Sequence, residues 1–176
     1  MTKQELEICI NEYGRDIYSF CKHLTSNPSE ADDLYQDTFL MAVELREKLD
    51  SENNLKSYLL SIALRIWKNK KRKYAWRKRI ADMQPLVDEK DADMGVSLEL
   101  SPEENIIGKE KDRAVRTAVN RLPDKLKPVV LLFYMEELSV VRIAEVMKIP
   151  VGTVLSRLYQ ARKVLRKELE DVFDGK

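Results

Sequence analysis

Between residues 81 and 101, in ADMQPLVDEKDADMGVSLELS, the hydrophobic period is lost: six acids, one lysine, a proline and a glycine occur there without an apolar repeat. On both sides of this stretch apolar residues recur every third or fourth place, the spacing that gathers them on one face of a helix. An acidic, aperiodic segment of this kind reads as a linker. The 176 residues therefore divide into two small domains, 1–80 and 102–176, joined by 81–101. Five glycines and six prolines leave little material for the turns of an all-β chain. The run VVLLFY, a strand if taken alone, has helical neighbours on either side. The expected fold is all-α, two small helical domains around an acidic flexible linker, the C-terminal one a helix-turn-helix.

The formal net charge of +1 hides a segregated pattern. Residues 1–64 carry 6 basic and 12 acidic side chains, and residues 65–80 carry 9 and none. Residues 81–112 hold 3 and 10, and residues 113–176 hold 13 and 8. A polyanion would meet two basic landing places, one short and dense, one spread over the C-terminal third. No apolar stretch reaches the roughly 20 residues that span a bilayer. The N-terminal MTKQELEICINEYG is acidic and amphipathic, unlike a signal peptide, so the expected compartment is the cytoplasm. Cys9 and Cys21 are too few for a disulfide framework, and the Cys21–His23 pair has no second pair to close a metal site. Buried thiols and a surface histidine are the expectation, with no metal and no cofactor.

Residues 3–24 read as one helix, with Leu6, Ile10, Ile17 and Phe20 among its apolar positions. Asn27 followed by Pro28 is a start signal for a second. Along it Leu34, Thr38, Met41 and Leu45 make a core-facing stripe, and Asp33, Asp37, Leu40 and Glu44 fall together on another side. After the turn cluster DSENN, Leu55, Leu59, Ile62 and Ile66 carry a helical period into the basic run RIWKNKKRKYAWRKR. Trp67 and Trp76 in that run are stacking platforms or core, the latter being the commoner fate of a tryptophan among apolar neighbours.

The C-terminal third is the most specific part. Ser139 caps a short helix ending near Met147, a four-residue break follows, and a long helix runs from about Gly152 to Val172. Ile143, Ala144 and Met147 form the inner face of the first of these. Val154, Leu158, Ala161, Leu165 and Leu169 form that of the second, with Ile149 plugging the turn. This is the arithmetic of a helix-turn-helix, whose second helix enters the major groove. Ser156, Tyr159, Gln160 and Lys163 face outward, flanked by Arg157, Arg162 and Arg166. A glutamine amide can pair bidentately with an adenine edge, a serine makes a shorter and less selective contact, and arginines hold phosphates. Gly152 lets the start of that helix come close to a phosphate. The same pattern would also suit a helical hairpin whose polar face is merely solvated. Lys148 stands where such turns usually carry glycine.

Two segments together resemble a known family. ADDLYQDTFLMAVELREKL followed by LKSYLLSIALRIWKNKKRK is similar to region 2 of the extracytoplasmic-function (ECF) sigma factors of the sigma-70 family. LPDKLKPVVLLFYMEELSVVRIAEVMKIPVGTVLSRLYQARKVLRKEL is similar to their region 4. The resemblance implies a sigma factor that directs core RNA polymerase to promoters. It implies that Asp33, Gln36, Asp37, Leu40 and Glu44 dock on the clamp coiled coil of the β′ subunit. It implies that Asn53, Asn54, Tyr58, Ser61, Arg65, Lys68, Lys71 and Arg72 read and open the −10 element. Region 4 would read the −35 element through Thr153, Leu155, Ser156, Arg157, Tyr159, Gln160, Arg162 and Lys163, and touch the β flap. An anti-sigma factor is a further implied partner, without direct membrane insertion. Arg65, Leu155, Gln160 and Arg142 depart from common family choices, which points to a different promoter preference.

Two other readings compete. A stand-alone helix-turn-helix regulator explains residues 139–172 but neither the acidic face nor the separate basic block. An enzyme using Asp32, Asp33 and Asp37 would need side chains that converge, and positions i, i+1 and i+5 of a helix do not.

Overall fold

The computed structural model describes residues 2–45, 54–83 and 106–174, and every regular element in them is helical. Helix α1 (Lys3–Leu24) opens on a capping box. The Thr2 hydroxyl accepts from the Glu5 N–H at 3.2 Å, and the Glu5 carboxylate accepts from the Thr2 N–H at 2.6 Å. Helix α2 (Pro28–Glu44) starts with Asn27 Oδ1 accepting from the Ser29 N–H at 2.8 Å. Where α1 and α2 come together, Gly14 allows a close approach: a Cβ there would lie 3.0 Å from Tyr35 Oη, so the tyrosine would have to shift to admit a larger residue. Tyr18, Tyr35 and Phe39 pack edge to face along the same seam.

Helix α3 (Leu55–Met83) begins with Asn54 Oδ1 accepting from the Ser57 N–H at 3.3 Å. Its first half buries Leu59, Leu60, Ile62, Ala63, Leu64 and Trp67 against α1 and α2. From Asn69 onward every residue of α3 is exposed, so the second half projects as a cationic rod. The helix runs through Met83, into the first residues of the segment read from sequence as linker. Residues 84–101, the rest of that segment, lie outside the described residues. Ile10, one of the apolar positions of α1, is 37% exposed, although its neighbour Cys9 is buried. Trp67 belongs to the core and Trp76 stands at the surface, 62% exposed.

The second domain comprises α4 (Ile106–Asn120), α5 (Lys127–Val130), α6 (Val140–Met147) and α7 (Val151–Phe173). Pro128 sits in the first turn of α5, where its missing N–H costs least. Over Leu131–Met135 the helix widens into a π turn, closed by the Glu136 N–H donating to the Leu131 carbonyl at 3.1 Å. Leu122, Leu126, Val130 and Ala161 form a small cluster between α5 and α7.

The two domains are packed together. Val146 and Met147 of α6 join the same buried cluster as Ile62, Leu64 and Trp67 of α3, and Leu132 of the π turn joins it beside α1. A buried ion pair crosses the boundary, besides the looser and exposed Lys71–Asp124 pair at 3.9 Å: Lys56 Nζ lies 2.7 Å from Glu136 Oε2 and 2.7 Å from Asp16 Oδ2. The Glu136 side chain is 3% exposed. Burial pushes its carboxyl up, and attraction to Lys56 offsets this only in part. For Lys56, burial works against the charged form, but the contacts with Asp16 and Glu136 outweigh it and its pKa ends above the ordinary lysine value.

Candidate nucleic-acid interface

Helix α6 and the turn into α7 take their shape from four residues. The Ser139 hydroxyl accepts from the Arg142 N–H at 3.2 Å and starts α6. Lys148 closes α6 in the left-handed conformation, at φ 54° and ψ 49°. A lysine therefore performs the turn that glycine usually makes, at some conformational cost. Pro150 then leads into α7, and half-buried Ile149 packs on the core from within the turn. Ile143, Ala144, Val154 and Leu158 of these two helices are buried in one cluster, while Ala161 of α7 is buried toward α5. The helix-turn-helix is thus built from the residues whose spacing announced it.

The outer face of α7 is open. Leu155 is 52% and Tyr159 63% exposed, with Ser156, Gln160 and Lys163 exposed beside them. Thr153 is half-buried at the edge of this face, and the ammonium of Lys163 lies over the Tyr159 ring, 5.6 Å from its centroid. A Cβ on Gly152 would meet nothing within 4 Å, so packing does not require that glycine and the helix start is approachable. Two of the flanking arginines do not join the outer face freely. Arg162 Nε donates to Tyr134 Oη at 2.8 Å and its guanidinium lies over the Phe133 ring at 5.6 Å. Arg157 turns toward the first domain, where its charge helps to pull the Lys68 ammonium down, after the larger effect of burial.

Of the region 2 candidates, Tyr58, Ser61, Arg65, Lys68, Lys71 and Arg72 line one cleft along α3. The Ser61 hydroxyl donates to the Tyr58 carbonyl at 2.7 Å, and Arg72 donates to Asn69 Oδ1 at 2.5 Å. Asn54 is exposed and occupied as the cap of α3; Asn53 lies outside the described residues. The second domain roofs this cleft with Met147, Lys148, Ile149 and Arg157. Lys71 sits 3.9 Å from Asp124 and lies over the Trp67 ring at 5.7 Å. Sequence reasoning did not bring Lys125, Lys148 or Arg157 to the α3 surface, because no local spacing carries a contact between domains.

On α2 the side chains of Asp33, Gln36, Leu40 and Glu44 are exposed, and Leu40 is 64% exposed. Asp37, between them, is half-buried and accepts from Lys70 Nζ at 2.8 Å. Asp32 accepts from Tyr18 Oη at 2.8 Å. Among the described residues no group of His, Cys, Asp and Glu converges on a possible metal site. His23 is half-buried, its Nδ1 2.7 Å from the Ser19 carbonyl. No described helix is long and apolar enough to cross a membrane.

A helix-turn-helix with an open polar face, paired with a cationic helix in a separate domain, defines a DNA-binding class of two-part readers. Comparison with known proteins gives the family. The sigma-70 region 2 model matches residues 9–77, and the sigma-70 region 4 model matches residues 112–165. The ECF RNA polymerase sigma factor SigW of Bacillus subtilis is 29% identical over 167 residues, covering 93% of this chain and 88% of that one. The ECF RNA polymerase sigma-E factor of Haemophilus influenzae is 27% identical over 170 residues, covering 96% and 89%. Among solved structures, the sigma factor RpoE in complex with the anti-sigma factor NepR, from Bartonella quintana, has the same fold. Its TM-score is 0.72 at 21% identity, over 96% of each chain. The chain belongs to the sigma-70 family of RNA polymerase sigma factors, in its ECF group.

Proposed function

We propose that this sigma factor recruits core RNA polymerase to promoters by using its two domains as separate readers. The observation that carries the reading is one chain holding both an open α7 face and a cationic α3 cleft, in the order of the two family regions. In this reading Gln160 and Ser156 contact base edges of the −35 element, and Tyr159 and Leu155 supply apolar contact. Thr153, Lys163 and Arg162 hold the backbone, Arg162 after release from Tyr134. Arg157 joins them once the domains separate. Along α3, Tyr58 and Ser61 face an extruded −10 base, while Arg65, Lys68, Lys71 and Arg72 follow the strand. Asn53 and Asn54 belong to the same reading at the mouth of α3.

The exposed Asp33, Gln36, Leu40 and Glu44 supply a polar face with one apolar anchor for the basic β′ coiled coil. Asp37 would exchange Lys70 for a partner cation. Promoter DNA, core polymerase and an anti-sigma factor are thus the partners, and the cytoplasm is the compartment. The chain itself makes and breaks no covalent bond; the polymerase supplies the chemistry.

Single-round transcription with purified core polymerase on a pool of host genomic fragments tests this. Discrete new starts sharing two upstream elements are expected, and Asp37→Lys should abolish them while leaving the fold intact by circular dichroism. No new starts and no association with core would overturn the reading; tight duplex binding without polymerase would favour a stand-alone regulator.

A further inference from the structure

The cleft between the domains encloses about 1050 Å³ and gathers charge of one sign. Lys68, Lys71 and Arg72 enter it from α3, and Lys125, Lys148 and Arg157 from the second domain. Asp124 is the acid among its described lining residues, and at 3.9 Å from Lys71 it offsets one of these charges at most. The apolar part of its lining comes from Ile62, Leu64 and Trp67 of the first domain and Val146, Met147 and Ile149 of the second. Trp67 adds a buried indole N–H with no acceptor among the described residues. Closing the two domains therefore brings together cations that repel, with Asp124 the one counter-charge among the described lining residues.

The consequences are visible in the ammonium groups. Burial first, and then Arg157, pull Lys68 down. Lys127, 4% exposed at the edge of the same region, is pulled down by burial and then by Lys71, against the weaker opposite pull of Asp124. A compact, multiply charged anion seated between the domains would relieve both effects at once, because it would face donors from each side.

We propose that the interdomain cleft is a binding site for an oligophosphate anion, which bridges α3 to the α6–α7 turn and holds the two domains closed. The shared chemistry is a chain of phosphates, whether inorganic or the 5′-polyphosphate of a nucleotide. Its effect on transcription rests on the promoter-reading assignment, since the anion would occupy cations placed there for DNA. Its binding does not, so the two can fail separately.

The experiment is calorimetric titration of the full chain with inorganic tripolyphosphate and, separately, with ATP at physiological salt, with small-angle scattering at saturation. Saturable binding is expected, with a scattering profile that stays compact as temperature is raised. Lys68→Ala and Arg157→Ala, one from each domain, should each weaken it at least tenfold. Lys78→Ala, exposed on the projecting part of α3 outside the cleft, should change it less than twofold. Equal affinity for both ligands assigns the site to the phosphate chain, and tighter ATP binding assigns it to a nucleotide; either supports the proposal. Equal losses in Lys78→Ala, or loss in Lys68→Ala with none in Arg157→Ala, would reduce it to a counterion effect of α3 and overturn it. So would the absence of saturable binding at millimolar ligand.

Discussion

Removing the Lys56 ammonium isolates the buried ion pair that crosses between the domains. In Lys56→Met the Glu136 carboxylate keeps its burial, at 3% exposure, and loses the cation 2.7 Å away. Breaking a fully buried pair from one side typically costs about 3–5 kcal/mol. Here the lysine side chain is 24% exposed and the carboxyl can take up a proton, so about 2–3 kcal/mol is expected at pH 7.5. The sign with pH follows from the direction of the Glu136 shift. Burial holds its folded pKa above the unfolded value, and without Lys56 it rises further. A carboxyl raised in this way favours the folded state below its unfolded pKa and disfavours it once pH has passed the folded one.

The deficit of Lys56→Met should therefore be full at pH 7.5 and shrink as pH falls toward the carboxylate range. Lys56→Met/Glu136→Gln should recover most of the loss at pH 7.5, because the buried charge is gone. Urea unfolding of the two variants and the parent at pH 5.5 and 7.5 gives the comparison. A deficit that does not change with pH, or a double variant no more stable than Lys56→Met, would refute the assignment of Glu136 as a buried anion held by Lys56.

Three further outcomes are expected. Cys9 and Cys21 are buried, and burial raises both thiols, Cys21 to about 12, so neither should react with a thiol reagent at pH 8 until urea unfolds the chain. Lys148→Gly should stabilise the protein by about 1 kcal/mol, measured by urea midpoint, because glycine reaches φ 54° without the Cβ penalty. Gln160→Ala should cost about 1–3 kcal/mol of binding at one base pair of the −35 element, read as relaxed preference there when promoters are varied singly in transcription.

The helix-turn-helix was legible because every device that builds it is local. Ser139 caps it, Ile143 to Met147 and Val154 to Ala161 keep the helical period, and Pro150 marks the turn. Helix α1 was legible for the same reason, from its period alone. The π turn was not, because Leu131–Met135 is apolar throughout and burial says nothing about which carbonyl each N–H will find. Trp76 shows a related limit: periodicity gives a side chain's direction, not how far along the helix the neighbours extend. Arg157 and Arg162 sit at the margins of the α7 face, where a turn toward Lys68 or toward Tyr134 is decided by elements far away in the chain. The Lys56–Glu136 pair joins residues in different domains, and no spacing rule reaches that far.

The continuous core has a consequence for affinity. Val146 and Met147 are as much part of the interior as Leu59 or Leu64, so separating the domains uncovers apolar surface on both. A partner that engages only the separated form sees only the fraction of molecules that have opened. Its measured dissociation constant is then the intrinsic one divided by that fraction. Substitutions at this seam that touch neither DNA nor polymerase would thus shift the strength of every such partnership by a common factor.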